Sequence, residues 1–326
     1  MNGQRTAMSD GIDVMVSKKE AIAEGVMHFE FRPASGERLP AFTAGSHIDI
    51  ALPNGAIRQY SLCNAPQECD RYEIAVLLEP NGRGGSRSAH GDLKQGDEVR
   101  ISAPRNHFAL VPARHSILIA GGIGVTPLLS MAEQLTRSGA SFKMHYCTRS
   151  VARTAFAQRI GVSAFASRVH FHHDDGDAGQ RFDVRQVLNE PARDTHLYVC
   201  GPGGFMDHVI QAAQAAGWAE ECIHFEYFAG APADTSHDRA FEVMLAQTGC
   251  VVSVAADKTV VQALAAQGID VPVSCEQGVC GTCVMRVLEG EPDHRDVYFS
   301  DAERAANDQF TPCCSRAKSY RLVIDF

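Results

Sequence analysis

The chain has 326 residues, a formal net charge of −9, and 45% apolar against 21% charged content. That balance is globular and fits two or three domains, which excludes a disordered, collagen-like or small disulfide-stapled protein. The acidic excess argues against nucleic acid as the main partner, and no apolar run approaches the ~20 residues of a membrane span.

Met1 to Ile12 contains no apolar core, so the reading is a cytoplasmic chain without a signal peptide. A reducing compartment disfavours structural disulfides. Yet there are 11 cysteines, and five crowd near the end at Cys275, Cys280, Cys283, Cys313 and Cys314. In a cytosolic chain such a group points to metal binding. Cys63, Cys69, Cys147, Cys222 and Cys250 read as ordinary thiols.

Residues 10 to 110 hold short apolar runs broken by Gly, Pro and Asn: Ile48 to Leu52, Glu73 to Leu78, Glu98 to Ile101. Such runs predict a small antiparallel barrel or sandwich. Arg58, Tyr60, Ser61 and Leu62 fall on one predicted strand. Arg can grip a phosphate as a bidentate donor. Tyr can pack on an isoalloxazine ring, and Ser can donate to its N5 or O4. An ordinary half-exposed strand would read the same way. Gly84, Gly85, Ser86, Arg87 and Ser88 form a glycine-rich turn able to nest a phosphate, or else a plain hairpin loop. Pro104 to Phe108 marks where this domain ends.

From about 114 the pattern becomes strand, glycine turn, helix: Ser116 to Ala120, Gly121 to Gly124, then Leu128 to Arg137. Phe142 to Cys147 is a further strand, and Leu197 to Cys200 leads into Gly201 and a helix to about Ala216. This predicts a doubly wound parallel sheet. Gly121, Gly122, Gly124 and Thr126 sit where a ligand would touch backbone at a helix start, although a tight turn alone could use these glycines. Cys200 and Gly201 end a later strand, where parallel sheets bind ligands; a buried structural thiol is the alternative for Cys200.

Phe228 to Asp238 reads as a linker. Beyond it, Phe241 to Leu245 and Val251 to Val254 predict a hairpin, and Val260 to Gln267 a short helix. From residue 238 onward there are 8 bases and 13 acids, so this last quarter carries −5 of the charge. Within it, Cys275, Cys280 and Cys283 stand as C-x4-C-x2-C, with 29 residues before Cys313. That is plant-type [2Fe–2S] spacing. Gly278 and Gly281 let the loop curl so that N–H groups face the sulfurs. A four-cysteine zinc site is the alternative, but those usually pair two C-x2-C knuckles. Cys313 and Cys314 compete for the fourth position, and in a strand they would point opposite ways.

Together these motifs resemble the ferredoxin–NADP⁺ reductase superfamily. They are most similar to the phthalate dioxygenase reductase family, which includes the vanillate O-demethylase reductases. The resemblance runs from about residue 12 to Phe326 and includes Pro292-Asp-His-Arg-Asp and Cys313-Cys-Ser-Arg-Ala317. It implies a multi-domain chain. An antiparallel β-barrel flavin domain would span 1–110 and an α/β doubly wound nucleotide domain 111–230. An α+β (β-grasp) plant-type ferredoxin domain would follow over 231–326. It also implies FMN rather than FAD, NADH rather than NADPH, and Cys313 as the fourth ligand. Arg58, Tyr60, Ser61 and Leu62 would contact flavin, and Gly84 to Ser88 would hold the FMN phosphate. Gly122 and Thr126 would border the nicotinamide, with Cys200 near its reactive carbon and Gly121, Gly124 and Gly201 as further cofactor-binding positions; Arg149 falls where the adenosine ribose should lie, and an Arg there could also accept a 2′-phosphate. Phe228, with Phe225 and Tyr227 as rivals, would cover the flavin. Ser61, Thr126, Cys200 and Phe228 are the residues placed nearest the chemistry. The implied partner is a terminal Rieske oxygenase, served by a monomer. An FAD reductase feeding a diiron or haem monooxygenase, or a pure electron carrier or redox sensor, are the other readings.

Overall fold

The computed structural model describes residues 11–189, 191, 193–230 and 235–326. The expected leaderless N-terminus and the middle of the expected linker lie outside the described residues. The chain divides into two compact bodies, one up to Glu226 and one from Tyr227 onward.

The first body begins with β1 (Ile12–Ala23), where Val14 and Val16 face inward and Asp13 and Met15 outward, the period of a half-buried strand. It pairs antiparallel with β2 (Val26–Pro33). β3 (His47–Ala51), β4 (Ile57–Ser61), β5 (Tyr72–Leu77) and, after the short helix α1 (Gly85–Gly91), β6 (Glu98–Ile101) complete a sheet of order β4-β3-β6-β1-β2-β5. Just past β4, Cys63 donates its backbone N–H to Glu73 O at 2.9 Å, which closes the sheet into a barrel. Phe29, Phe31, Ile48, Ile50, Leu62, Tyr72 and Ile74 fill it.

The glycine-rich turn differs from its expectation. Gly84 is left-handed (φ 87), and Gly85 to Ser88 form the start of α1. Burial decides this: Ser88, Ala89 and Leu93 pack into the barrel wall, and hydrophobic anchoring overrides a turn-like composition.

β7 (His115–Gly121), α2 (Val125–Arg137), β8 (Ser141–Thr148), α3 (Ala157–Gly161), β9 (Val169–His173), α4 (Val184–Leu188), β10 (Thr195–Cys200), α5 (Gly203–Ala215) and β11 (Ile223–Glu226) follow. Their five strands are parallel, in the order β11-β10-β7-β8-β9. Helix α2 stops at Gly139 (φ 69), with Ala140 N–H returning to Leu135 O, a glycine-capped terminus. Barrel residues Val26, Ala44, Cys63, Ala75 and Phe108 share one apolar cluster with Leu118, Leu128 and Tyr146. Glu73 of the barrel also accepts from Arg159 of α3 at 2.8 Å. Barrel and parallel sheet therefore form one body.

The second body holds β12 (Phe241–Leu245), β13 (Val251–Val254), α6 (Val260–Ala265), β14 (Met285–Glu289), β15 (Pro292–Asp293), α7 (Asp301–Ala306), β16 (Gln309–Phe310), β17 (Arg316–Ala317) and β18 (Arg321–Ile324). The main sheet has the order β13-β12-β18-β14-β16, with β12 parallel to β18. Residues of α6 pack on it through Val260, Ala263 and Leu264, the β-grasp arrangement. A capping box at Thr259 and Gln262 starts that helix.

Candidate functional site

Three groups of side chains carry chemistry. The first lies on the barrel. Arg58 on β4 runs against Gly85: a Cβ there would meet Arg58 Cγ at 2.7 Å, so only glycine admits the guanidinium stem. Two separate sequence motifs, the Arg58 strand and the Gly84–Ser88 segment, thus meet at one place. Ser86 Oγ accepts from Glu79 N at 2.9 Å and Ser88 Oγ from Asn54 N at 3.3 Å. Arg87 Nη1 donates to Pro80 O at 2.8 Å. The segment is held open and basic, a cradle that fits a phosphate ester. Tyr60 is half-buried, and burial pushes its hydroxyl up to about 12, so it stays neutral. Leu62 does not join this surface: its side chain is in the barrel core and its N–H is committed to Ser46 O.

The second group lies at the carboxyl ends of β7 and β10. In a sheet of this order the strand sequence reverses between these two strands, and such a switch point opens a crevice for ligands. Gly124, at the end of the 3-10 turn Gly122–Gly124, touches the β10 turn so closely that a Cβ would lie 2.6 Å from Gly201 N and closer still to the Cys200 carbonyl. A Cβ on Gly201 would meet Gly121 Cα at 3.0 Å. The Phe205 ring also lies on these glycines, 2.7 Å from a Cβ on Gly121 and 2.9 Å from one on Gly201, so backbone and one aromatic ring line the turn. Arg149, just after β8, is exposed. Thr126 is buried, and its hydroxyl donates to Ile123 O at 3.0 Å, so it stiffens the turn rather than reaching outward.

Cys200 is fully buried, and burial with the nearby Glu226 charge raises its thiol well above the ordinary value. It stays a neutral thiol, no nucleophile. Glu226 is the residue that sequence reasoning missed. It pairs in register with Cys200 across β10 and β11. Burial pushes its carboxyl up to about 8 against a hydrogen bond from Ser61. His47 Nδ1 approaches Glu226 Oε1 at 3.8 Å, and the ring stacks on exposed His107. Among the described residues, Glu226 Oε2 is buried without a hydrogen-bond partner. An orphaned buried acceptor beside a glycine cradle and a hydroxyl is what a bound heterocycle would satisfy. The only hint in sequence was its place between Phe225 and Tyr227. Phe225 is 44% exposed. Phe228 belongs to the second body and is 37% exposed.

The third group is the cysteine loop. Cys275, Cys280, Cys283 and Cys313 are all buried and unpaired by disulfides. Hydrogen bonds from Cys280 and Cys313 hold the Cys275 thiol far below its ordinary value, and Cys313 likewise holds Cys283 down. Four thiols thus converge, and Gln277 N–H already points at Cys275 Sγ at 3.3 Å. Gly278 and Gly281 take left-handed φ of 71 and 70, as the curl requires. This donor set fits a four-thiolate iron–sulfur cluster. The fourth position differs from the expected strand: Cys313 and Cys314 lie in a turn between β16 and β17, closed by Cys314 N–H to Thr311 O at 3.2 Å. Cys314 Sγ is directed to Gly278, where a Cβ would collide with it, and lies 3.3 Å from Thr311 Oγ1.

Known proteins agree with this geometry. The profile of the oxidoreductase FAD-binding domain matches residues 13–110. That of the dimethylamine monooxygenase subunit DmmA-like N-terminal domain matches 103–223, and that of the 2Fe-2S iron-sulfur cluster binding domain matches 243–318. A vanillate O-demethylase oxidoreductase from Pseudomonas sp. strain HR199 is 51% identical over 96% of this chain and 99% of its own length. The solved structure of a phthalate dioxygenase reductase matches with a TM-score of 0.79 at 40% identity, over 97% of this chain and 98% of that one. An intact type IV self-sufficient cytochrome P450 monooxygenase matches with a TM-score of 0.83 at 37% identity, over all of this chain and 43% of that one. The β-barrel, doubly wound and ferredoxin folds read from the sequence, and a flavin with a [2Fe–2S] cluster as cofactors, are therefore those of this protein. The chain belongs to the phthalate dioxygenase reductase family, the flavin and [2Fe–2S] reductase components of oxygenase systems.

Proposed function

We propose that this chain oxidises NADH and delivers the electrons, through FMN and its [2Fe–2S] cluster, to a terminal Rieske-type oxygenase that O-demethylates or hydroxylates an aromatic acid or ether. The observation that carries this reading is the junction of β7 and β10. There a glycine-lined pair of strand ends, a neutral Cys200 and the orphaned Glu226 carboxyl occur in a chain that also holds the four-thiol loop. Kinship over almost the full length with a vanillate O-demethylase oxidoreductase favours a methoxylated aromatic acid as the partner's substrate. Modules bounded at about 1–110, 111–230 and 231–326 each take one redox group or substrate. A cytoplasmic monomer fits, and no helix among the described residues is long and apolar enough to cross a membrane.

Bound flavin supplies hydride acceptance and single-electron release, and the cluster carries one electron at a time. The protein's own residues position and insulate. Arg58 and the Gly84–Ser88 segment take the FMN phosphate, with Tyr60 and Ser61 along the ring. Gly121, Gly122, Gly124, Gly201 and the Cys200 thiol shape the nicotinamide seat, Thr126 fixes its floor, and Arg149 borders the adenosine ribose. Glu226 can hold a proton near neutrality and pass it through Ser61. Cys275, Cys280, Cys283 and Cys313 bind iron.

Rapid mixing of the holoprotein with NADH tests the reading: flavin absorbance should bleach first and cluster absorbance after it. No bleaching would reduce the chain to an electron carrier. The P450 likeness supports a second acceptor class, haem monooxygenases. Parallel assays with a Rieske oxygenase and a P450 separate the two.

A further inference from the structure

The second body exposes an aromatic ring beside its cysteine loop. Tyr298 is 41% exposed. Its ring lies on Gly281, inside the Cys280-x2-Cys283 segment: a Cβ on Gly281 would fall 2.7 Å from the Tyr298 hydroxyl and closer still to the ring carbons. Gly281 is thus empty of side chain because Tyr298 fills the space.

The ring is also held rigidly. Tyr298 and Phe299 both donate backbone N–H groups to Asp296 Oδ2, at 3.1 and 2.9 Å. The Asp296 carboxylate is wholly buried, and its Oδ1 accepts from Thr311 and Ser315 hydroxyls at 3.3 Å. Val297 N–H bonds Gly278 O at 3.0 Å, tying the same segment to the cysteine loop. Phe299 packs edge-on to Tyr298 with centroids 5.0 Å apart. Among the described residues the Tyr298 hydroxyl has no hydrogen-bond partner. A preorganised aromatic with a wet polar tip loses little entropy on burial, the property of an interface anchor.

Exposed acids lie on the same segments. Glu276 is exposed in the cysteine loop, and Asp301, three residues beyond Tyr298, has a fully exposed carboxylate whose one near cation among the described residues is the partly covered Arg304 at 3.7 Å. With the −5 balance of this part of the chain, a second copy would be repelled and a basic rim attracted.

We propose that Tyr298 anchors the docking surface for the electron acceptor, a protein that offers a cleft for the ring bordered by Lys and Arg. The proposal rests on the reductase reading above and adds the contact residue. Tyr298 positions the acceptor over the cysteine loop; no atom is transferred there.

The test measures binding of the holoprotein to the oxygenase component of a vanillate O-demethylase system by calorimetry, with the cluster's EPR spectrum alongside. Tyr298→Ala should weaken binding about thirtyfold, the loss expected of an aromatic anchor, with an unaltered EPR signal. Tyr298→Phe should stay within about threefold, since the ring does most of the anchoring. Tyr320→Ala, an exposed tyrosine held by Glu242, should change nothing. If the alanine variant loses its cluster signal, Tyr298→Ile, which keeps carbon over Gly281, takes its place with the same expected loss. Unchanged binding in the Tyr298→Ala or Tyr298→Ile protein, or an equal loss in Tyr320→Ala, overturns the proposal. Absence of any binding by the wild type instead overturns the reductase–oxygenase reading, and the proposal with it.

Discussion

Gly124→Ala isolates the backbone contact between the β7 and β10 turns on which the proposed nicotinamide seat depends. Gly124 has φ −61, a value any residue adopts, so the substitution introduces no backbone strain. What it introduces is volume. The new Cβ would sit 2.6 Å from Gly201 N, where ordinary contact begins at 3.4 Å, so the two turns must part by at least 0.8 Å (3.4 − 2.6). Both partners are backbone at the ends of paired central strands, and neither can swing aside as a side chain would. Overpacking of this kind costs ~3 kcal/mol, which for a body of this size lowers Tm by roughly 6–12 °C. Gly122→Ala is the reference. Its φ of +53 strains alanine, but nothing lies within 4 Å, so the cost should be ~1 kcal/mol and roughly 2–4 °C. Differential scanning fluorimetry of the holoproteins measures the difference, and NADH-driven flavin bleaching measures the function. Gly124→Ala should retain flavin and lose NADH reactivity far more than Gly122→Ala. Equal Tm values, or normal NADH kinetics in Gly124→Ala, would refute the role of this contact.

Other outcomes follow from the remaining groups. Cys313→Ser should abolish the cluster's visible absorption while Cys314→Ser keeps it, because the Cys313 thiol bonds both Cys275 and Cys283 whereas Cys314 bonds Cys313 alone among the four; the reverse would reassign the ligand. Arg58→Gln should weaken FMN retention by one to two decades, since a charge-assisted phosphate contact contributes about 1.5–3 kcal/mol; flavin release on dilution reports it. Glu226 has a carboxyl raised from 4.5 to about 8. Between those values the folded protein holds a proton that the unfolded chain has lost, so its stabilising effect, full below 4.5, is lost as pH rises. Glu226→Gln should remove a decline of up to about 1.4 kcal/mol per pH unit, seen by comparing denaturant midpoints of the apoproteins between pH 5 and 8. If the two curves stay parallel, the carboxyl ionises normally. Asp301→Lys should slow association with the oxygenase at low ionic strength and flatten its salt dependence, an effect that 0.5 M salt erases through screening.

What could be read from residues alone, and what could not, divides along physical lines. The cysteine loop was legible because three ligands sit within nine residues of chain, and covalent spacing limits which cluster they can embrace. The parallel sheet was legible because buried strands and glycine turns are local patterns. Glu226 was not. Its importance comes from Cys200 beside it in register, from Ser61 on a barrel strand and from His47 on another, and no spacing records that meeting. The Ser86–Ser88 segment misled for a related reason: its composition speaks for a turn, while the burial of Ser88 and Ala89, a tertiary fact, makes it a helix. Cys313 and Cys314 show the same limit. Strand alternation gave a sound reason why only one thiol could serve, but the segment is a turn. There the missing side chain of Gly278 gives Cys314 Sγ a place of its own, which favours Cys313 as the proposed ligand. Glycine is the common element: Gly85 admits Arg58, Gly124 admits the Cys200 carbonyl, and Gly281 admits Tyr298. Each of the three sites is formed where a side chain is absent, and absence gives sequence patterns little to record beyond the letter itself.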